Sequence, residues 1–289
     1  MSAVSAATEV LRARYQEGRL VPFIGAGASM AVSWEQDGVE RCGISWSALV
    51  DQAARLLGYE GADMLRVRGT DLQILEYYTA KNEGQIAELR NWISSTFSAP
   101  DQVLADSPVH SAISKLVKCQ VMYTTNYDNY IERSLRLAGR PATAVAVERH
   151  LAEVLKADAM GQGATTQVVK FHGDLNNPER MVLSERDYDL RMRLEDVEDR
   201  RLTADALGRA VLFIGYSFRD ANVSYLFRLL NDTFGPLPVD NTGRRAYILI
   251  ADPSDFEITL YRARNIEVIP IRSDFKTEDT AEILEGLAG

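Results

Sequence analysis

The chain has 289 residues, of which 46% are apolar and 25% are charged, a balance typical of a globular protein with a buried core. Its 32 basic and 41 acidic side chains give a net charge of −9, which argues against nucleic acid as a direct partner, because an acidic protein is not attracted to a phosphate backbone. Two cysteines cannot form a four-cysteine zinc site or a disulfide framework, and no segment has the roughly 18 apolar residues of a membrane span or the apolar core of a signal peptide. We therefore expect a cytoplasmic location and no membrane attachment.

Seven short apolar segments are rich in Val and Ile without strict alternation, which is typical of strands covered on both faces. They span residues 20–24, 120–123, 143–147, 167–171, 210–214, 246–251 and 267–271. Helical patterns lie before and between them, at residues 4–17, 47–57, 72–81, 85–96, 127–137, 185–207 (one long helix or a pair), 221–231, 254–263 and 277–287. The alternation predicts an α/β fold, with a Rossmann-like parallel sheet and helices on both faces.

The block of helices between the first and second strands is too long for a single crossover connection. Because the strand pattern resumes after this block, we interpret it as a helical insertion at about residues 45–115. The rest of the chain continues the same alternation, so we predict a single domain that spans residues 1–289.

A glycine turn follows the first strand and contains Gly25, Ala26, Gly27 and Ser29. Glycine allows a tight turn and a close approach of the backbone to a pyrophosphate, and free N–H groups at the start of the next helix favour an anion. The third glycine of a dinucleotide-binding fingerprint is replaced by Met30. The turn is therefore a candidate phosphate site, with a purely structural role as the alternative.

The second strand ends in a polar segment that includes Thr125, Asn126 and Asp128. Ligands of open α/β sheets bind beyond the carboxyl ends of the strands. The Asn126 side chain can donate and accept hydrogen bonds, which suits a ribose hydroxyl or an ordered water, and Asp128 can accept from an amide N–H. The alternative is that one of these three residues caps the helix predicted at residues 127–137.

His172 follows the fourth predicted strand and precedes a glycine, whereas the other two histidines, His110 and His150, lie in helical or loop surroundings. An imidazole titrates near neutrality, so it can accept a proton from a sugar hydroxyl at pH 7. His172 is therefore a candidate general base, with a structural histidine as the alternative.

The fifth predicted strand ends in another glycine turn, in which Gly215 and Ser217 precede a predicted helix. The Ser217 hydroxyl is a candidate partner for a phosphate or ribose oxygen. Asp220 stands where a side chain caps the next helix. We expect these residues at the same edge of the sheet as the three earlier motifs.

In their order and composition the four motifs resemble those of the sirtuin family. In that family a turn like residues 25–29 holds the NAD+ phosphates, and a segment like residues 124–128 contacts the nicotinamide ribose and carboxamide, although this chain has Thr125 where sirtuins have glutamine. A His-Gly pair supplies the catalytic histidine, here His172, and a Gly-x-Ser segment like residues 215–217 holds the adenosine side. The resemblance implies a sirtuin-like, NAD-binding domain.

Two departures from the sirtuin pattern narrow the resemblance. Protein-deacylating sirtuins hold zinc with four cysteines after the histidine, but no cysteine follows Cys119 in this chain. The sirtuin cofactor-loop motif that ends in Asp-Phe-Arg is also missing, and residues 43–46 occupy the comparable region. Both features are similar to the zinc-less, sirtuin-like NAD+ hydrolase domains of bacterial antiphage defence systems. This resemblance implies NAD+ as substrate, no zinc, and either a homo-oligomer or a separate partner such as a HerA-type ATPase or an Argonaute-type protein.

The resemblance predicts an NAD+ glycohydrolase that releases nicotinamide and ADP-ribose and acts as an effector of abortive infection. His172 would act as general base, Asn126 would hold the ribose and orient water, and Asp128 would bind the departing carboxamide. The glycine turn and Ser217 would hold the rest of the dinucleotide. The alternatives are an NAD+ or ADP-ribose sensor, a structural subunit without catalysis, and an NAD-dependent protein deacylase. The choice between NAD+ and NADP+ stays open.

Overall fold

The computed structural model describes residues 3–161, 165–217, 221–234 and 246–289. Its strands are β1 (Leu20–Ile24), β2 (Ser33–Gln36), β3 (Val39–Cys42), β4 (Val121–Thr124), β5 (Ala142–Val145), β6 (Thr166–Lys170), β7 (Ala210–Ile214), β8 (Ala246–Ala251) and β9 (Ile266–Ile271). Seven of them form one parallel sheet in the order β5-β6-β4-β1-β7-β8-β9, and β2 and β3 form a separate antiparallel hairpin. All seven predicted strands are confirmed, with every boundary within two residues. The hairpin was not predicted.

The helices surround this sheet. They are α1 (Ala3–Gln16), α2 (Ala26–Met30), α3 (Trp46–Leu56), α4 (Asp63–Arg66), α5 (Asp71–Lys81), α6 (Ala87–Thr96), α7 (Asp101–Asp106), α8 (Pro108–Ser114), α9 (Tyr130–Leu137), α10 (Glu148–Ala159), α11 (Glu185–Arg191), α12 (Val197–Gly208), α13 (Ala221–Phe234), α14 (Asp255–Ala263) and α15 (Lys276–Ala288). The segment predicted as one long helix or a pair is the pair α11 and α12, with Leu194 at a positive φ of 53° between them. The proposed helix cap Asp220 lies outside the described residues.

The central strands are apolar throughout because helices cover both faces of the sheet. Alternate residues of β1 point to opposite sides, so that Leu20 and Ile24 pack with α1, α8, α9 and α15. Val21 and Phe23 pack on the other side, with α10, α12, α13 and α14. Burial on both faces explains the lack of polar alternation in the sequence, and it confirms the predicted α/β, Rossmann-like architecture.

Four of the six helices between Trp46 and Ser114 fall into two groups, according to the core that their buried residues join. Buried residues of α3, α5 and α6 form a core of their own, to which Tyr127, Met181 and Leu183 contribute from the loops beyond β4 and β6. Helix α8 instead contributes Val109 and Ile113 to the core under the sheet. The first group therefore stands over the carboxyl ends of the strands, where it can form the second wall of a cavity.

The order of the strands brings the four sequence motifs together. β6, β4, β1 and β7 are consecutive neighbours in the sheet, and all of them are parallel. The chain passes from β6 on one side of β1 to β7 on the other, which makes β1 a topological switch point of the kind at which α/β sheets bind ligands. In the described ranges, no helix combines the length and the apolar character that crossing a bilayer requires.

Candidate active site

A cavity of about 980 Å³ opens at the carboxyl edge of the sheet, between the strand ends and the helices of the insertion. Of the ten residues that the sequence analysis assigned to a site, nine line this cavity: Ala26, Gly27, Ser29, Thr125, Asn126, Asp128, His172, Gly215 and Ser217. The tenth, Gly25, lies directly behind it, and its carbonyl oxygen accepts a hydrogen bond from Asn126 Nδ2 at 3.0 Å. The fold therefore gathers the predicted residues around a single cavity.

The glycines at the ends of β1 and β7 pack against each other. The N–H of Gly27 donates to the carbonyl of Gly215 at 2.8 Å, and a Cβ added at Gly25 or Gly27 would lie within 2.8 Å of Gly215. Gly215 itself has a φ of +60°, and a Cβ there would lie 2.4 Å from the nitrogen of Ala28. These glycines are thus required for close backbone contact between two strand ends, in addition to any contact with a phosphate.

We expect Gly215→Ala to lower the free energy of unfolding by about 2–4 kcal/mol, because alanine is strained at this φ and overlaps the adjacent backbone. Urea denaturation followed by circular dichroism measures this change. The matched control is Gly208→Ala, since a Cβ there meets no atom within 4 Å. Equal stability of the two variants would contradict the prediction.

Asn126 is fixed by a short buried network. Its Nδ2 donates to the carbonyl of Gly25 and to Ser29 Oγ at 2.9 Å, and Ser29 Oγ donates to Asp128 Oδ2 at 2.7 Å. Both amide hydrogens are therefore used, whereas Asn126 Oδ1 has no hydrogen-bond partner among the described residues. A buried acceptor without a donor is unfavourable, so this oxygen is suited to accept from a ligand hydroxyl or a water.

Asp128 is buried, and both of its carboxylate oxygens are already occupied. Oδ2 accepts from Ser29, and Oδ1 accepts the N–H of Tyr130 at 3.0 Å, where α9 begins. Asp128 therefore supports the start of α9, which is the capping role that the sequence offered for Thr125, Asn126 or Asp128. The same side chain also orients Ser29. Asn126 bonds to the glycine turn instead of the helix. Each carboxylate oxygen can accept a second hydrogen bond, which leaves capacity for a ligand.

His172 lies just beyond β6 and is 2% exposed. The tight turn that follows it needs Gly173, which has a φ of +75° and lies so close to Arg180 that a Cβ would be 2.3 Å from the Arg180 carbonyl oxygen. The His172 ring contacts Tyr188 of α11 edge-to-face, with ring centroids 5.3 Å apart. Packing on both backbone and ring thus holds the imidazole at the cavity.

The insertion and α11 provide a wall of the cavity that was not predicted from the sequence. Trp46 and Tyr188 both line it and meet edge-to-face at 6.3 Å. Arg66 also lines it, and its guanidinium is engaged by Asp71 at 2.8 Å and Asp51 at 3.1 Å. These residues lie far apart in the sequence and share no motif, so no local signal could have assembled them.

A second histidine, His110 of α8, is fully buried behind the cavity and was placed outside the site by the sequence analysis. Its Nδ1 lies 3.0 Å from Ser107 Oγ. Burial lowers the pKa of His110 to about 4, and the nearby charge of Asp128 opposes this shift. The folded protein therefore holds His110 in its neutral form at physiological pH.

We expect this neutral histidine to make stability depend on pH. Since the pKa of His110 is 6.5 when unperturbed and about 4 when folded, its contribution is complete above pH 6.5 and is lost as the pH falls towards 4. Between pH 7 and pH 4.5 the wild type should lose about 2–3 kcal/mol more unfolding free energy than His110→Asn, which does not titrate. Urea denaturation at both pH values measures the difference, and identical losses would refute it.

No group of three or more His, Cys, Asp or Glu side chains in the described parts of the chain is arranged to hold a metal ion. Cys42 is exposed and Cys119 is buried, and both are free thiols. The polar groups that line the cavity include an imidazole, an amide oxygen, a carboxylate, hydroxyls and a guanidinium, and the cavity has a size typical for a small ligand.

The fold and the cavity define a Rossmann-like α/β domain with a ligand site at its topological switch point. A model of the SIR2-like domain matches residues 120–269, slightly more than half of the chain, and the chain belongs to this family. The match contains the motifs around Asn126, His172 and Gly215, so the resemblance to sirtuins is confirmed.

Curated relatives extend the similarity to the amino-terminal part of the chain. The chain is 27% identical over 258 residues to "NAD(+) hydrolase ThsA" of Bacillus cereus (strain MSX-D12), which covers 85% of this chain and 47% of that protein. It is 28% identical over 222 residues to the protein of the same name from Enterococcus faecium, which covers 75% of this chain and 40% of that protein. It is 24% identical over 279 residues to "Defense-associated sirtuin 2" of Bacillus subtilis, which covers 89% of this chain and 24% of that protein. The chain thus spans less than half the length of these relatives.

Proposed function

We propose that this chain is an NAD+ glycohydrolase, which cleaves the nicotinamide–ribose bond and releases nicotinamide and ADP-ribose. The observation that carries the proposal is the position of His172 and Asn126 on one cavity, at the ends of neighbouring parallel strands. The name of the relatives called NAD(+) hydrolase supports the same activity, and the name of the defence-associated sirtuin supports a role in defence.

In the proposed complex the dinucleotide lies along the strand ends. The nicotinamide ribose would lie near His172 and Asn126, and the pyrophosphate near the turn at residues 25–29, where the cavity exposes Gly27. The adenosine would extend past Ser217 towards the ends of β8 and β9, because the cavity continues along Leu249 to Ile271. We expect this orientation because the motifs follow the same order along the chain as in the sirtuin pattern.

The proposed reaction builds positive charge on the ribose as nicotinamide leaves. Groups that interact more strongly with this transition state than with NAD+ accelerate the reaction. His172 would accept a proton from a ribose hydroxyl or from the attacking water, and Asn126 Oδ1 would accept a hydrogen bond from one of them. Asp128 would hold the carboxamide of the leaving nicotinamide through its remaining lone pairs. The oxygen of the water would then bond to the ribose carbon that nicotinamide has left, which gives ADP-ribose.

We further propose that the chain acts as the effector of a bacterial antiphage system, as a single sirtuin-like domain of residues 1–289. It would deplete NAD+ in the cytoplasm, and its two free thiols fit a reducing compartment. A homo-oligomer, a HerA-type ATPase or an Argonaute-type protein would control the activity. The net charge of −9 favours a protein partner over direct contact with nucleic acid.

The test is to incubate the purified protein with NAD+ at low and high protein concentration and to separate the products by chromatography. Equal release of nicotinamide and ADP-ribose is expected, and NADP+ in parallel determines the preferred dinucleotide. Nicotinamide release that requires an acyl-lysine peptide would identify a deacylase instead. If no product forms at any concentration while a titration shows NAD+ binding, the chain alone is a binding module and the proposed hydrolase activity fails for it.

A further inference from the structure

A buried ion pair joins the strand that precedes His172 to the helix that follows Asn126. Lys170 is the last residue of β6, and its Nζ lies 2.9 Å from Glu132 Oε1 in the first turn of α9. The two side chains are 1% and 3% exposed. Neither residue lines the cavity, so the pair does not touch a ligand.

The pair has a third member, the main chain of Asp128. Lys170 Nζ donates a hydrogen bond to the carbonyl oxygen of Asp128, in the loop between β4 and α9. The side chain of Asp128 in turn orients Ser29, and Ser29 accepts from the amide of Asn126. Lys170 is thereby connected to Asn126 through the loop that contains Asp128. Only Phe171 separates Lys170 from His172 in the chain.

Packing alone does not explain this arrangement. Removing two charges from water is costly, and an apolar pair of similar volume often supports a fold equally well or better. An apolar side chain, however, cannot donate to the Asp128 carbonyl. Glu132 balances the charge of the lysine, and the lysine holds the carbonyl.

We propose that Lys170, neutralised by Glu132, is a positioning residue that fixes the loop of residues 125–129 relative to His172. The inference rests on the proposed hydrolase function for its effect on catalysis. Its structural part, the anchoring of the loop, is independent of that function.

The decisive variant is the double substitution Lys170→Met with Glu132→Leu, which removes both charges and leaves none unpaired. Because the apolar pair fills the site, we expect a folded protein with a melting temperature near that of the wild type. The loop loses its anchor, and a misplaced catalytic group costs up to about 100-fold in rate. We therefore expect kcat for NAD+ hydrolysis to fall about 10- to 100-fold while KM changes little.

Hydrogen–deuterium exchange provides a second measurement that needs no activity. The N–H of Asn126 bonds to Thr124 Oγ1 and that of Tyr130 to Asp128 Oδ1, so both amides report on the loop. We expect faster exchange in the peptide of residues 124–130 of the double variant. If the double variant does not fold, Lys170→Met alone carries the same comparison, because it removes the donor to the Asp128 carbonyl. Glu132 can then take a proton instead of staying charged, since burial raises its pKa.

Arg140→Met is the matched control. Arg140 also donates to a main-chain carbonyl, that of Cys119, and to Thr166 Oγ1, but it lies at the opposite ends of β4 and β6. This variant should lose stability and keep the wild-type kcat and loop exchange. A folded double variant with wild-type kcat and wild-type loop exchange would overturn the proposal. If the wild type releases no nicotinamide, the proposed function fails, and the exchange measurement alone decides whether Lys170 anchors the loop.

Discussion

Replacing His172 with alanine is expected to reduce the rate of nicotinamide release by about 10²–10⁴-fold, the contribution typical of a positioned general base. The imidazole lines the same cavity as Asn126, and the proposed reaction contains no other group that accepts the proton. The loss should appear mainly in kcat, since in the proposed complex the glycine turn and the ends of β7 to β9 hold most of the dinucleotide. Single-turnover assays with NAD+ and a separate binding titration measure the two effects.

His150→Ala is the control for this substitution. His150 lies in α10 outside the cavity, and its Nδ1 is 3.4 Å from the N–H of Ala146. The His150 variant should retain wild-type activity, and both variants should show the circular dichroism spectrum of the folded protein. Wild-type turnover by a folded His172→Ala protein would remove the imidazole from the mechanism and leave His172 with a packing role beside Tyr188.

Asn126→Ala is expected to lower kcat by roughly 10²-fold, the cost of losing a contact that positions the reacting groups. The substitution removes the Oδ1 acceptor from the cavity, and it also frees Ser29 Oγ and the Gly25 carbonyl from their shared donor. Steady-state kinetics with NAD+ provides the measurement. If His172 and Asn126 act on the same proton, the double variant should lose little more activity than His172→Ala alone.

The control for Asn126 is Asn129→Ala. Asn129 is exposed at the N-cap of α9 and makes no capping hydrogen bond with its side chain, so it shares the loop but not the network. Its variant should be fully active. A loss of stability without a loss of activity in Asn126→Ala would show that the amide only ties the glycine turn to β4.

Much of the fold follows from the sequence because the strands are buried on both faces. An apolar run such as residues 210–214 has no competing interpretation when helical patterns flank it, and β7 matches this run at both ends. The apolar pattern left open whether residues 185–207 form one helix or two, and it placed the start of α9 too early, because helix ends depend on local hydrogen bonds. Helix α9 begins at Tyr130, three residues later than predicted, where Asp128 accepts its N–H.

The sequence by itself determined the strands, their α/β class and the polar residues at the strand ends, because each depends on a local pattern of apolar residues, glycines and turn-forming side chains. The tertiary structure alone decided that β6, β4, β1 and β7 are neighbours, which turns four separate motifs into one cavity. It also decided that Trp46 and Tyr188 meet in the wall of that cavity, that His110 is held neutral, and that Lys170 meets Glu132. The two pairs of residues are separated by 38 and 142 positions in the chain, and the burial of His110 likewise depends on neighbouring elements. All three features arise from how the layers pack, which no short segment of the sequence encodes.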